Sequence, residues 1–290
     1  MTWTNLKRAA PSLLALVLLW GCTLRSEEVR IDLPDPAPGW MAECYLYPDA
    51  VPVLVLAPNV PYFRLPDSAR AVGWLQTLAT RTTATLRTRT ATGDLLHEER
   101  LAYFLPDSAY PLGRFQGLRP TAADPALAYE LLVELPEQQL RATTQFGRPI
   151  ALRPDDLSYT WNPRDTAGVS LRLAWDDPDP TRETFYRVLF NDFRPDSIGH
   201  FEFRDRQFSP GRPFFLTYTQ SLGDSLEITV YDIPESYYDF VQTTEQAISA
   251  AGNPFIEPVL IRSMFSGGLG AFVALHPGQP LRLRLPEAAP

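Results

Sequence analysis

Twenty-nine prolines are spread through this 290-residue chain, and before Tyr231 they recur closely enough to interrupt every stretch in which a long helix would otherwise build. Proline removes a backbone donor and clashes with the preceding helical turn. What survives between the prolines is short, alternating and apolar, the pattern of β-strands separated by turns. Met41 to Tyr47 alternates faces and turns at Pro48-Asp49, and the continuously apolar run Val53 to Ala57 comes next, so the two read as a hairpin. Thr82 to Thr90, the turn Thr92-Gly93-Asp94 and Leu95 to Tyr103 read as a second, more exposed hairpin. Tyr129 to Leu135 and Gln139 to Phe146 complete a set of about seven strands, the size of an immunoglobulin-like sandwich.

Pro149 to Pro154 reads as a junction, after which the alternation resumes. Val169, Leu171, Leu173 and Trp175 share one face of a strand, and Thr184–Phe190, His200–Arg206, Pro213–Gln220 and Leu226–Tyr231 supply others. One helix is expected, over about 233–251. Asp232 looks like its cap, Pro234 stands in the first turn, Tyr237, Phe240, Val241, Thr244 and Ile248 form one stripe, and Gly252 and Pro254 end it. The expected fold is all-β: two immunoglobulin/transthyretin-like β-sandwich domains, over 40–150 and 151–290, with the helix in the second.

The N-terminus carries a different instruction. Lys7 and Arg8 precede an apolar run from Leu13 to Leu19 that ends in Trp20-Gly21-Cys22, and this run is too short to cross a bilayer. The pattern is that of a lipoprotein signal over residues 1–21, with Cys22 becoming the first residue and receiving acyl chains such as palmitate; two or three chains make a stable anchor. Residues 22–39 form the tether. No Asp stands beside Cys22, which favours the outer membrane, and Ser26-Glu27-Glu28 resembles a short acidic signal that sends some lipoproteins to the cell surface. The Pro-rich run Leu33 to Gly39 would hold the first sandwich away from the lipid.

Charge and rare residues narrow the chemistry. The net charge is −8, more acidic once Lys7 and Arg8 leave with the signal, so a nucleic-acid partner is not expected. Lys7 is the only lysine, which removes Schiff-base, phosphate-loop lysine and serine-lysine mechanisms from the mature chain. With Cys22 lipidated, Cys44 has no partner for a disulfide, and its alternation with Ala42 and Leu46 marks it as a buried small hydrophobe. His97, His200 and His276 read as surface or strand histidines, none paired at metal-binding spacing. Asp176, Asp177 and Asp179 offer oxygens to calcium, but the loop lacks the glycine and distal glutamate of a helix-loop-helix site, and a solvated turn is expected. No cofactor is expected.

After the helix come Gly252-Asn253-Pro254-Phe255-Ile256-Glu257-Pro258-Val259 and Ser266-Gly267-Gly268-Leu269-Gly270-Ala271-Phe272. With the lipobox and the Tyr-rich helix before them, these segments resemble the Bacteroidota lipoprotein family catalogued as domain of unknown function 4249. The chain departs from the family at Ser263-Met264-Phe265, where an Asn-containing turn is more usual. The resemblance implies an envelope lipoprotein, often encoded near outer-membrane transporters driven by the TonB system, with no established activity. Phe255, Glu257, Gly267, Gly268, Gly270 and Phe272 are the candidates for a partner-binding or structural loop.

No nucleophile elbow, glycine-rich phosphate loop or metal-spaced histidine pair occurs. The expected function is therefore a noncatalytic outer-membrane lipoprotein, a surface binding or accessory module for a TonB-dependent transporter. The alternatives are a structural envelope lipoprotein without that partner and, last, a hydrolase using two carboxylates that converge only in the fold.

Overall fold

A computed structural model describes residues 39–59, 80–162, 165–177, 179, 181–191, 198–205, 214–221, 225–250, 257 and 259–285. The expected signal, Cys22, nearly all of the expected tether and Phe255 lie outside the described residues. The described chain is mostly strand, arranged as sandwiches with one α-helix, the fold class that the alternation implies.

In the first half, β1 (Gly39–Leu46) and β2 (Val53–Asn59) form the expected antiparallel hairpin, with Tyr45 opposite Val53. β3 (Thr83–Thr90) and β4 (Leu95–Arg100) form the next. The run that reads as one strand to Tyr103 is divided: the Leu101 amide still bonds the Ala84 carbonyl at 2.8 Å, but β5 (Ala102–Phe104) pairs instead with β6 (Arg114–Gln116) in the opposite sheet. β7 (Leu127–Leu135) and β8 (Gln138–Gln145) close the four-stranded sheet β4-β3-β7-β8. Facing it is the five-stranded sheet β15-β1-β2-β6-β5, where β15 is Leu269–Ala274. Ala42, Cys44, Leu54 and Phe115 from one sheet meet Leu86, Leu131, Val133 and Leu140 from the other in a dry core.

β15 crosses the boundary expected near residue 150. It runs parallel to β1 in register, Met41 opposite Leu269 and Cys44 opposite Phe272. It is buried on both faces, which is why it reads as an unbroken apolar run. Phe272 and Ala274 enter the first core, while Ala271 and Val273 enter a separate cluster behind it.

The second half holds β9 (Leu157–Asn162), β10 (Asp165–Ala174), β11 (Phe185–Asn191), β12 (Ile198–Arg204), β13 (Phe214–Ser221), β14 (Ser225–Ile233) and β16 (Leu281–Arg284). They form sheets β13-β10-β9 and β12-β11-β14-β16. Leu171, Leu173 and Trp175 point inward as their alternation requires, against Tyr186, Val188, Phe190 and Phe203. The side chain of Val169 lies outside the described residues.

The helix, α1, spans Glu235–Ala250. It begins later than a cap at Asp232 would set, because Asp232 is still part of β14 and its carboxylate accepts the Arg148 amide at 3.2 Å; the amide of Tyr237 bonds the Pro234 carbonyl instead. Nor does the apolar stripe rest on the second sandwich alone. Tyr237, Tyr238, Phe240 and Val241 share a cluster with Phe185 and Leu189 of β11, Tyr231 of β14, Tyr45 of β1 and Val273 of β15. Tyr45 and Tyr237 meet edge to face, ring centroids 6.3 Å apart. The helix thus joins the outer faces of both sandwiches. None of the described helices is long and apolar enough to cross a membrane.

Candidate functional site

The glycine-rich segment is explained by close packing. Gly267 and Gly270 have φ of 83° and 134°, and a Cβ at either would run into a backbone carbonyl oxygen, that of Gln139 or of Ala42. Gly268 passes between the Leu140 side chain and the Trp40 carbonyl. Phe272 is fully buried, 6.5 Å from the ring of Phe265. These residues let β15 dock on β1; the side chain of Glu257, in contrast, is exposed.

The acidic loop after Trp175 does not converge on a cation. Asp176 pairs with Arg153 at 3.1 Å, Asp177 accepts the Tyr186 hydroxyl at 3.1 Å and the Asp179 amide at 2.9 Å, and Asp179 accepts the Thr181 hydroxyl at 2.6 Å while pairing with Arg182. The three carboxylates thus turn to different neighbours, although Asp177 Oδ2 is buried without a hydrogen bond.

Where β8, β11 and β14 approach one another, an open cleft of about 620 Å³ forms between the sandwiches. Its wall carries Thr143, Gln145, Arg182, Glu183, Asp232 and Glu235. Asp232 is the buried anchor of this wall. Burial raises its carboxyl above the usual range, opposed by the Arg148 amide and by Arg182, 3.7 Å away. Donors and acceptors thus line a concavity large enough for a small polar molecule or a loop.

A second constellation lies on the far face of the second sandwich, under α1. His200 and Glu202 are two residues apart on β12, so they project from the same face of the sheet, while Phe203 turns into the core. Glu245 comes down from α1, two turns beyond Tyr237 and one beyond Val241, where the inward stripe would continue with an apolar residue. One ligand-type atom from each of His200, Glu202 and Glu245 lies within 4.8 Å of the others, the single such group among the described residues. His200 and Glu245 are exposed, but the Glu202 side chain is only 2% exposed.

The electrostatics of this trio are unusual. Burial pushes the Glu202 carboxyl up to about 6, with Arg187 opposing and Glu245 adding to the rise. Partial burial and the nearby Arg187 lower the His200 imidazole below its ordinary value, with Glu245 opposing. Arg187 Nε lies 3.3 Å from Glu202 Oε1, yet that oxygen accepts no hydrogen bond, while Arg187 donates through Nη1 to the Tyr237 hydroxyl. Sequence spacing singles out none of the three as a ligand. The His-x-Glu alternation within a strand is the one local signal; the arrival of Glu245 from a distant helix leaves none.

No curated protein matches the chain. Among solved structures, the chicken CNTN1 FN1-FN3 domains align over 87% of this chain and 68% of theirs, at 9% identity and a TM-score of 0.29. Pullulanase complexed with maltotriose, from Anoxybacillus sp. LM18-11, aligns over 66% of this chain at 14% identity and a TM-score of 0.22, and the match spans about a quarter of that enzyme, 24%. Neither likeness is close enough to carry an argument about function. A family model does match, over residues 28–279 and so nearly the whole described body; the chain belongs to the family described as "Domain of unknown function (DUF4249)".

Proposed function

We propose that this protein is a lipid-anchored lipoprotein of the outer membrane that works by binding rather than by catalysis, as an accessory module to a TonB-dependent transporter. The observation that carries this reading is the polar cleft of about 620 Å³ between the two sandwiches, on a body preceded by a lipoprotein-type signal ending in Gly21-Cys22. The anchor sets the protein beside membrane partners. The tether from Cys22 to Gly39 reaches on the order of 50 Å at about 3.1 Å per residue if extended, enough to place the cleft over a barrel in the same leaflet. Both Gly267-Gly268 and Gly270 serve the docking of β15, so the partner surface is assigned to the cleft rather than to the glycine-rich end.

Two measurements test this. Cys22→Ala is expected to move the protein from the membrane to the soluble fraction and to remove the mass of the acyl groups; continued fractionation with membranes would place the anchor elsewhere. Crosslinking and pull-down from native outer membranes is expected to recover a transporter with the wild-type chain, and less of it with Arg182→Ala and Thr143→Arg in the cleft. Recovery of the protein alone, protected from protease on whole cells, would overturn the accessory reading and leave an inward-facing structural lipoprotein.

A further inference from the structure

We propose that His200, Glu202 and Glu245 form a binding site for a divalent transition cation of the zinc class, a site that clamps α1 to β12. It stands on observations separate from those that support the anchor and the cleft. One imidazole and two carboxylates, each with a ligand atom within 4.8 Å of the other two, make an N/O donor set. Such a set suits zinc; calcium and magnesium prefer oxygen ligands alone. Donors around tetrahedral zinc sit about 3.4 Å apart, given metal–ligand bonds of about 2.1 Å. The remaining closure belongs to His200 and Glu245, which are exposed.

The second observation is Glu202. Its side chain is 2% exposed, yet a carboxylate oxygen within that enclosure accepts no hydrogen bond, although Arg187 lies beside it out of line. A buried carboxylate without aligned donors is costly. An ion pair with Arg187 accounts for its charge but not for its neighbours. Glu245 adds a second negative charge at the one position of the helix stripe that faces Glu202, and like charges at this distance repel. A dication converts that repulsion into attraction. Three protein donors leave the fourth tetrahedral position for water or for a donor from a bound molecule. His200 and Glu245 give the cation a path in from solvent.

The test uses the full chain, extracted in detergent and stripped of metal with a chelator. Zinc, manganese and calcium are then titrated singly by calorimetry. One equivalent of zinc is expected to bind, with no binding of calcium at the same concentrations. His200→Ala and Glu245→Gln, both at exposed positions, are each expected to weaken zinc by at least about tenfold, while leaving the metal-free thermal midpoint near that of wild type. Cobalt supplies an independent readout on the unaltered protein: the visible bands of a tetrahedral N/O site should appear with one equivalent and be displaced by zinc. Absence of saturable zinc binding would overturn the proposal. So would equal binding by wild type, His200→Ala and Glu245→Gln, which would move the metal to a histidine elsewhere such as His97.

Discussion

Glu130 shows how this nearly lysine-free chain uses arginine. It sits on the outer face of β7, its side chain 3% exposed, between Arg87 and Arg89 of β3 and Arg141 of β8. Arg87 is shared with Glu98 of β4 at 2.6 Å. Burial pushes the Glu130 carboxyl up, but the hydrogen bond from Arg89 and the charge of Arg141 outweigh it and hold the group below its ordinary 4.5. A depressed carboxyl contributes stability that is complete above its unfolded value and is lost as pH falls from there through its folded value. Glu130→Ala is expected to cost about 2 kcal/mol at neutral pH, a hydrogen-bonded charge removed from partners that water can partly reach. The deficit against wild type should shrink below about pH 4.5, and urea unfolding at pH 7 and pH 3 checks both. Cys44 makes a simpler case. It is fully buried and burial pushes its thiol up to about 12, so a maleimide should leave Cys44 unlabelled in the folded protein and label it after denaturation. That burial is legible from the alternation of Ala42, Cys44 and Leu46 alone, because strand periodicity is local.

At the scale of elements, β15 depends on a glycine. Gly270→Ala would place a methyl against the Ala42 carbonyl at a φ of 134°, and is expected to cost roughly 2–4 kcal/mol. The denaturant midpoint should fall with little change in slope. Most strands could be read from their own residues, as could the helix, since burial on one face leaves a periodic trace. Partnership left none. The break at Leu101, where one apparent strand becomes β4 and β5 in different sheets, is marked by no glycine, proline or asparagine. Asp232 imitated a helix cap because the sequence Asp-x-Pro-Glu carries the cap chemistry wherever the carboxylate finally points. Likewise the metal-type trio needed β12 and α1 brought together, and only His200 and Glu202 were close enough in sequence to be seen as a pair.

Over the whole molecule, residues from Ala37 to Pro290 make one compact unit. Tyr45 and Val273 of the first sandwich share a cluster with Phe185, Tyr231 and α1 of the second, and the chain passes from β15 in one to β16 in the other within a few residues. Heat or urea should therefore unfold both sandwiches in a single transition, with tryptophan fluorescence and circular dichroism coincident. Two separated transitions would show that the shared cluster is weak. The placement of β15 also dictates an order of assembly. Met41 and Leu269 must meet although they are roughly 230 residues apart, and such distant pairings are slow to form. Until β15 has been made, the edge of β1 that it covers is a row of unpaired amides and carbonyls, ready to recruit a strand from another molecule. A chain of this design stays adhesive along β1 and is made safe only when β15 arrives.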